Sequence, residues 1–191
     1  ARPRPRSPLA RIRWALDDGR DLPSLGELGP RIATAALSSN NDVNRIAELA
    51  LFDPAMLLRL LRSANSPAFV TRSGEAVCSV SRAVMLLGFN EARETALSLA
   101  TLDEEIDDPD HRRLVRAEYA NAHVAAMFAR NLLYGRYPAV AEEGATVALL
   151  GASGRILTAL YAPQTWAMIE RAAQEHAIAP SAAARRVLGV G

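Results

Sequence analysis

The sequence predicts an all-α protein, and three observations carry that prediction. Apolar residues recur at helical spacing along most of the chain from Leu22 onward. Capping and stop residues fall between those runs. Strand signals are nearly absent, because the β-branched residues are scattered and no hairpin turn joins alternating segments. With 50% hydrophobic residues in 191, the chain can bury a core without staples. The length suits one domain, or one domain with a small appendage.

Residues 1–8 read as a solvated Arg/Pro tail, since proline at alternate positions forbids a helix. A short helix is expected over residues 9–16, ended by Asp17, Asp18 and Gly19. Residues 1–19 therefore form a tail with a short helix or linker, and residues 20–191 the main helical domain. Ala1 is not an initiator methionine, so a linker from an upstream domain is one expectation. Val43, Ile46, Ala47 and Ala50 mark one buried helix face, with Asn41 or Asp42 as its cap. Asp53 is a natural N-cap and Pro54 a natural first helical residue. The helix they start carries Met56, Leu57, Leu60, Leu61 and Ala64 on one side, with Arg59 and Arg62 on the other. Asn65, Ser66 and Pro67 stop it.

A loop is expected over residues 72–76, then a helix buried through Val80, Ala83, Val84 and Leu87, with Gly88 at its C-terminal cap. Asn90 is expected to cap a helix running to about Leu102, followed by an acidic connector over residues 103–110. The longest helix is predicted over residues 111–134, with Val115, Tyr119, Ala122, Ala126, Ala129 and Leu133 as its inner stripe. Further helices are expected over about 140–150, 156–160, 164–176 and 181–188. No internal repeat is visible.

The sequence contains no lysine, so all 22 positive charges are arginine, yet the net charge is only +1. Bulk charge therefore argues against nucleic acid as a partner. The single cysteine, Cys78, cannot form an internal disulfide, which fits a reducing cytoplasm. Its neighbours Val77 and Val80 place it as a packed small apolar residue. No apolar run reads as long as the ~20 residues that span a bilayer, and the N-terminus lacks the apolar core of a secretory signal.

Five segments in order resemble the HDOD domain, a bacterial relative of the HD-type metal-dependent phosphohydrolases. They are LPSL at 22–25, IAELALFDPAMLLRLLRSANS at 46–66, VSRAVMLLGF at 80–89 with Arg93 and Ala96 after it, the helix around Tyr119, and LLGASG at 149–154 preceded by Ala148. The resemblance covers roughly residues 20–190. It implies a multi-helix HD-like bundle in two helical lobes and a bacterial regulatory role. It also implies where HD-type metal ligands would stand. The His-Asp pair falls on Gly151 and Ala152, and an earlier His on Asn121. Glycine and alanine carry no ligand atom, and an amide is a poor ligand for a transition metal. No metal, cofactor or catalysis is therefore expected.

The function that follows is a non-catalytic signal-transduction module acting through protein contacts or self-association. Two alternatives stay open: a divergent HD-type phosphohydrolase, and a nucleotide or nucleic-acid binder using surface arginines. Arg59, Arg62, Asn65, Ser66 and His123 are the candidates for a groove or interaction site. For each, the structural reading weighs more. Asn65 and Ser66 can satisfy helix-end groups, and Arg116 and Arg130 around His123 suggest a solvated flank. Arg59, Arg62, Arg82 and Arg93 read first as solvated faces, and His111 and His176 as helix ends. The acidic run Asp103, Glu104, Glu105, Asp107 and Asp108 lacks the glycine and spacing of a calcium loop. If helices that close such a domain are lacking after Gly191, an apolar face is expected to lie open.

Overall fold

The computed structural model describes residues 7–17, 22–37, 43–69 and 75–189. Twelve helices follow one another among them: α1 (Pro8–Asp17), α2 (Leu28–Leu37), α3 (Val43–Ala50), α4 (Pro54–Ala64), α5 (Val80–Leu87), α6 (Phe89–Ser98), α7 (Leu102–Glu105), α8 (Pro109–Tyr134), α9 (Ala141–Gly151), α10 (Ser153–Tyr161), α11 (Pro163–Glu175) and α12 (Pro180–Leu188). A single 3-10 turn, Pro138–Val140, leads into α9. The one β feature among the described residues is an isolated bridge between Ser24 and Thr101.

The core divides into two clusters of unequal size. The larger gathers Ile32, Ile46, Leu57, Leu60, Val80, Val84, Leu102, Val115, Tyr119, Leu149 and Ile156 from α2 through α10. The smaller joins Ile169 and Ala173 of α11 to Ala183 of α12. These are the two helical lobes. Helix α1 packs on α10 and buries Ala15.

Local rules account for most boundaries. Asp53 caps α4 through bonds from the Ala55 and Met56 amides, with Pro54 at the first turn. The five apolar residues assigned to one side of α4 are all buried. Gly29 lets α2 approach α6, where a Cβ would stand 2.8 Å from the Ala96 carbonyl oxygen. The Asn41 or Asp42 cap, residues 1–6 of the Arg/Pro tail expected over 1–8 and most of the loop at 72–76 lie outside the described residues, while Pro8 opens α1 instead of belonging to the tail.

Several expectations are corrected. Helix α6 starts at Phe89 and ends at Ser98, not near Leu102. Gly88, at φ 88°, both ends α5 and opens α6, so Asn90 lies inside the helix. The chain leaves the helix because the Ser24 amide donates to the Ala100 carbonyl and the Leu102 amide donates to Ser24. Thr101 and Glu104 then form a reciprocal cap that makes α7 out of the expected connector. Asp108 caps α8 two residues earlier than expected, with Pro109 in its first turn. Val115, Tyr119, Ala122 and Ala126 are buried, whereas Ala129 and Leu133 are half-buried.

The stretch Pro138–Tyr161 is long and apolar enough to cross a membrane by length and composition alone. That corrects the expectation that no such run exists. In the fold it is a 3-10 turn and two helices of 11 and 9 residues, broken at Ala152. Each helix is about half the length a bilayer requires, and Leu149 and Ile156 belong to the large core.

Candidate functional site

The three positions aligned with metal ligands sit on the α8–α9–α10 segment. Asn121 is exposed on α8, Gly151 is exposed at the end of α9, and Ala152 is half-buried between α9 and α10. A Cβ added at Gly151 would meet nothing within 4 Å, so the missing side chain is not excluded by crowding. The donor set does not fit a metal: one amide, one hydrogen and one methyl hold no anionic or imidazole ligand. Among the described residues, no three His, Cys, Asp or Glu side chains converge in a way that could hold an ion.

His123 does not lie on a solvated flank. It is half-buried, its Nδ1 is 3.0 Å from the Leu51 carbonyl oxygen, and its ring stacks on Phe52 at 3.8 Å and 22°. Because a carbonyl only accepts, Nδ1 carries the proton in this contact. The ring thus fastens α8 to the corner between α3 and α4. His111 is also structural, with Nε2 placed 2.8 Å from the Ala159 carbonyl oxygen of α10.

Asn65 supports its structural reading in full. Its Nδ2 donates to the Leu61 and Val77 carbonyls, each at 2.9 Å, and its Oδ1 accepts from the Val77 amide at 2.8 Å. One side chain therefore ends α4 and pins the segment that enters α5. Ser66 continues the turn through its backbone, accepting from the Phe69 amide. Arg59 is half-buried and Arg62 exposed. Arg82 pairs with Glu75, and Arg93 with Glu94. Cys78 is exposed, against the expectation of a packed residue. It lies in the extended segment before the Ser79 cap, where Val77 takes the inward position.

A polar hub under the candidate residues has no counterpart in the sequence reading. The fully buried Asp53 carboxylate accepts from the Ser24 hydroxyl at 2.6 Å, the Leu25 amide at 3.1 Å and the Ala55 amide at 2.9 Å. Tyr119 donates its hydroxyl to the Pro23 carbonyl at 2.8 Å. Residues 22–25 thus act as a strap that ties α4, α7 and α8 together. Burial pushes the Asp53 carboxyl above its usual range, against the pull of its hydrogen bonds. Burial, with the Asp53 charge nearby, holds the Tyr119 hydroxyl well above its usual range. The period-based reading finds apolar faces, so it missed a strap whose work is done by one carboxylate and backbone groups.

An ion set centred on one buried carboxylate joins α8, α10 and α11. Arg155 donates from Nε and Nη2 to both oxygens of Glu118, at 2.8 and 2.9 Å, and from Nη1 to Glu170 at 2.9 Å. Glu118 is 2% exposed, and its bidentate bonds raise the guanidinium further above its already high range. A groove of about 360 Å³ lies between α3, α5, α8 and α9, lined by Asn44, Glu48, Ser81, Arg130, Tyr134 and Glu142 among others. Glu142 crosses it to accept from the Ser81 amide at 2.7 Å, in the first turn of α5.

Comparison with known proteins matches this architecture. The MmoQ response regulator of Methylococcus capsulatus Bath aligns with a TM-score of 0.57 at 24% identity, covering 89% of this chain and 70% of that one. A virulence factor of Campylobacter jejuni aligns with a TM-score of 0.69 at 19% identity, covering 94% of this chain and 63% of that one. At such identities the likeness is one of fold. No curated protein matches the chain. The HDOD domain family model matches residues 22–191, and on that match the chain belongs to the HDOD domain family.

Proposed function

We propose that this chain is a non-catalytic signalling module of the HDOD family that works through protein contacts. The observation that carries the reading is the chemistry at Asn121, Gly151 and Ala152. Three positions that HD-type hydrolases use for metal offer here no carboxylate and no imidazole. A metal-activated water needs several anchored ligands and an open position, and nothing at these residues supplies the anchors. The histidine nearest Asn121 in sequence, His123, is committed to the Leu51 carbonyl and the Phe52 ring. The fold shared with a protein named as a response regulator accords with a signalling role. The arginines weighed for nucleotide binding are engaged elsewhere: Arg82 and Arg93 hold neighbouring carboxylates, and Arg59 and Arg62 also have partners.

The test is turnover of a generic phosphodiester and phosphomonoester, in the presence of Mn, Fe, Zn or Mg. The expected rate equals that of metal and buffer alone. Turnover that scales with protein and disappears with chelator would overturn the reading.

A further inference from the structure

The groove between α3, α5, α8 and α9 draws one or two side chains from each helix. Arg130 and Tyr134 stand four residues apart at the C-terminal end of α8, so they share one face. Ala47 and Glu48 come from α3, and the Leu51 amide bonds to the Ala47 carbonyl, which carries that face one residue past the helix. Ser81 stands in the first turn of α5 and Glu142 in the first turn of α9. Ala47 and Leu51 are buried and give the groove an apolar base under polar walls. Its volume of about 360 Å³ suits a small molecule.

Three polar groups in this groove have no partner among the described residues. Arg130 is half-buried, and it is the only arginine among them that is neither exposed nor held by a hydrogen bond, an ion pair or a ring contact. Arg93, Arg112, Arg116 and Arg155 are also half-buried, and each holds a carboxylate. Glu142 gives one oxygen to the Ser81 amide at 2.7 Å and leaves the other unused. The Tyr134 hydroxyl makes no hydrogen bond. Glu48 pairs with Arg45 at 3.6 Å with both side chains about half exposed, and such a surface pair holds its members weakly. A half-buried guanidinium without an anion, beside a carboxylate with a spare oxygen, fits an occupant that carries both signs.

We propose that this groove is a binding site for a free α-amino acid, with the ligand carboxylate on Arg130 and its ammonium on the unused oxygen of Glu142. An arginine fork meets a planar carboxylate through two parallel bonds. An ammonium has three protons to give, and the Glu142 oxygen, the Tyr134 hydroxyl and the Glu48 carboxylate are the acceptors at hand. The buried Ala47 and Leu51 receive an apolar or aromatic side chain. Single-charge ligands are selected against: an anion meets Glu48 and Glu142, and a cation leaves Arg130 unpaired. The proposal goes beyond the non-catalytic reading and gives the module a small-molecule stimulus. It is also separable from that reading, because metal-dependent turnover would leave the groove and its test untouched.

Thermal melting of the full chain with each proteinogenic α-amino acid in turn, at ~10 mM, tests this. With a Kd of about 0.1–1 mM, the best ligand is expected to raise the melting temperature by about 3–10 °C. Calorimetric titration of the wild-type chain then compares that amino acid with its N-acetyl form, which lacks the ammonium, and its amide, which lacks the carboxylate. Both analogues are expected to bind about tenfold more weakly or worse. Arg130→Gln and Glu142→Gln are expected to weaken the parent amino acid to the same extent, and Glu142→Gln keeps an acceptor oxygen for the Ser81 amide. The analogue comparison uses the wild-type chain, so it stands whether or not the variants fold. No shift with any amino acid overturns the proposal. So does either analogue binding as tightly as the parent, or unchanged binding in folded Arg130→Gln.

Discussion

At the scale of single residues, Asp53 does more than its sequence position announces. An Asp-Pro pair before an apolar run reads as a helix start, and Asp53 does cap α4. Its other oxygen takes the Ser24 hydroxyl and the Leu25 amide, contacts 28 and 29 residues away in sequence that no local rule exposes. Asp53→Ala leaves those donors buried and unpaired, and is expected to cost about 3 kcal/mol in urea denaturation. Asp53→Asn keeps an acceptor oxygen for the α4 amides and is expected to cost less. The pH dependence has a definite sign. Burial raises the folded carboxyl above its usual value of 3.8, so proton binding favours the fold. That contribution is full below the unfolded value and is lost as pH climbs through the folded one. The stability advantage of wild type over Asp53→Asn should therefore shrink as pH rises from about 4 toward neutrality. An advantage that grows with pH would mean that the hydrogen bonds outweigh burial. Other residue-scale readings failed for a similar reason. His123 and Cys78 were judged by neighbours in sequence, whereas Leu51 and Phe52 place the first and the inward Val77 displaces the second.

At the scale of elements, the helices were legible because apolar period, caps and prolines all point the same way. The boundaries that moved are those set by contacts distant in sequence: Ser24 ends α6 by bonding on both sides of Thr101. The ion set around Glu118 was hidden because Glu118 stands beside Tyr119 on the inner face, where a carboxylate is not expected. Its partner Arg155 comes from α10, 37 residues later, and ties α8 to the start of the smaller lobe through Glu170. Arg155→Ala leaves the Glu118 carboxylate buried without its cation. Since Arg155 is itself 37% exposed, the expected loss is about 2–3 kcal/mol, below the full cost for a buried pair. Replacing both partners, Glu118→Leu with Arg155→Met, should recover most of that loss. Denaturation of the two variants side by side checks it. A double variant no more stable than the single one would show that the clamp is needed for α10 and α11 to dock.

At the scale of the whole molecule, sequence and structure agree on the all-α HD-like bundle, and the family model matches residues 22–191, close to the span of roughly 20–190 over which the resemblance is read. The resemblance located Asn121, Gly151 and Ala152, and the structure adds what the sequence could not. A Cβ at Gly151 would meet open space, so the position can take a side chain without crowding, and Val124, Phe128 and Val147 on α8 and α9 are exposed. Exposure decides that point, and periodicity alone cannot tell an open apolar flank from a buried one. The central claim is that the ligand positions hold no metal. The most direct measurement is elemental analysis of the purified chain after incubation with Mn, Fe, Zn and Mg and removal of free ions, beside an intact HD phosphohydrolase as control. The account predicts metal in the control and well under one-tenth of an equivalent, about the level of non-specific carry-over, in this chain. Metal near one equivalent per chain would contradict it and return catalysis to this fold.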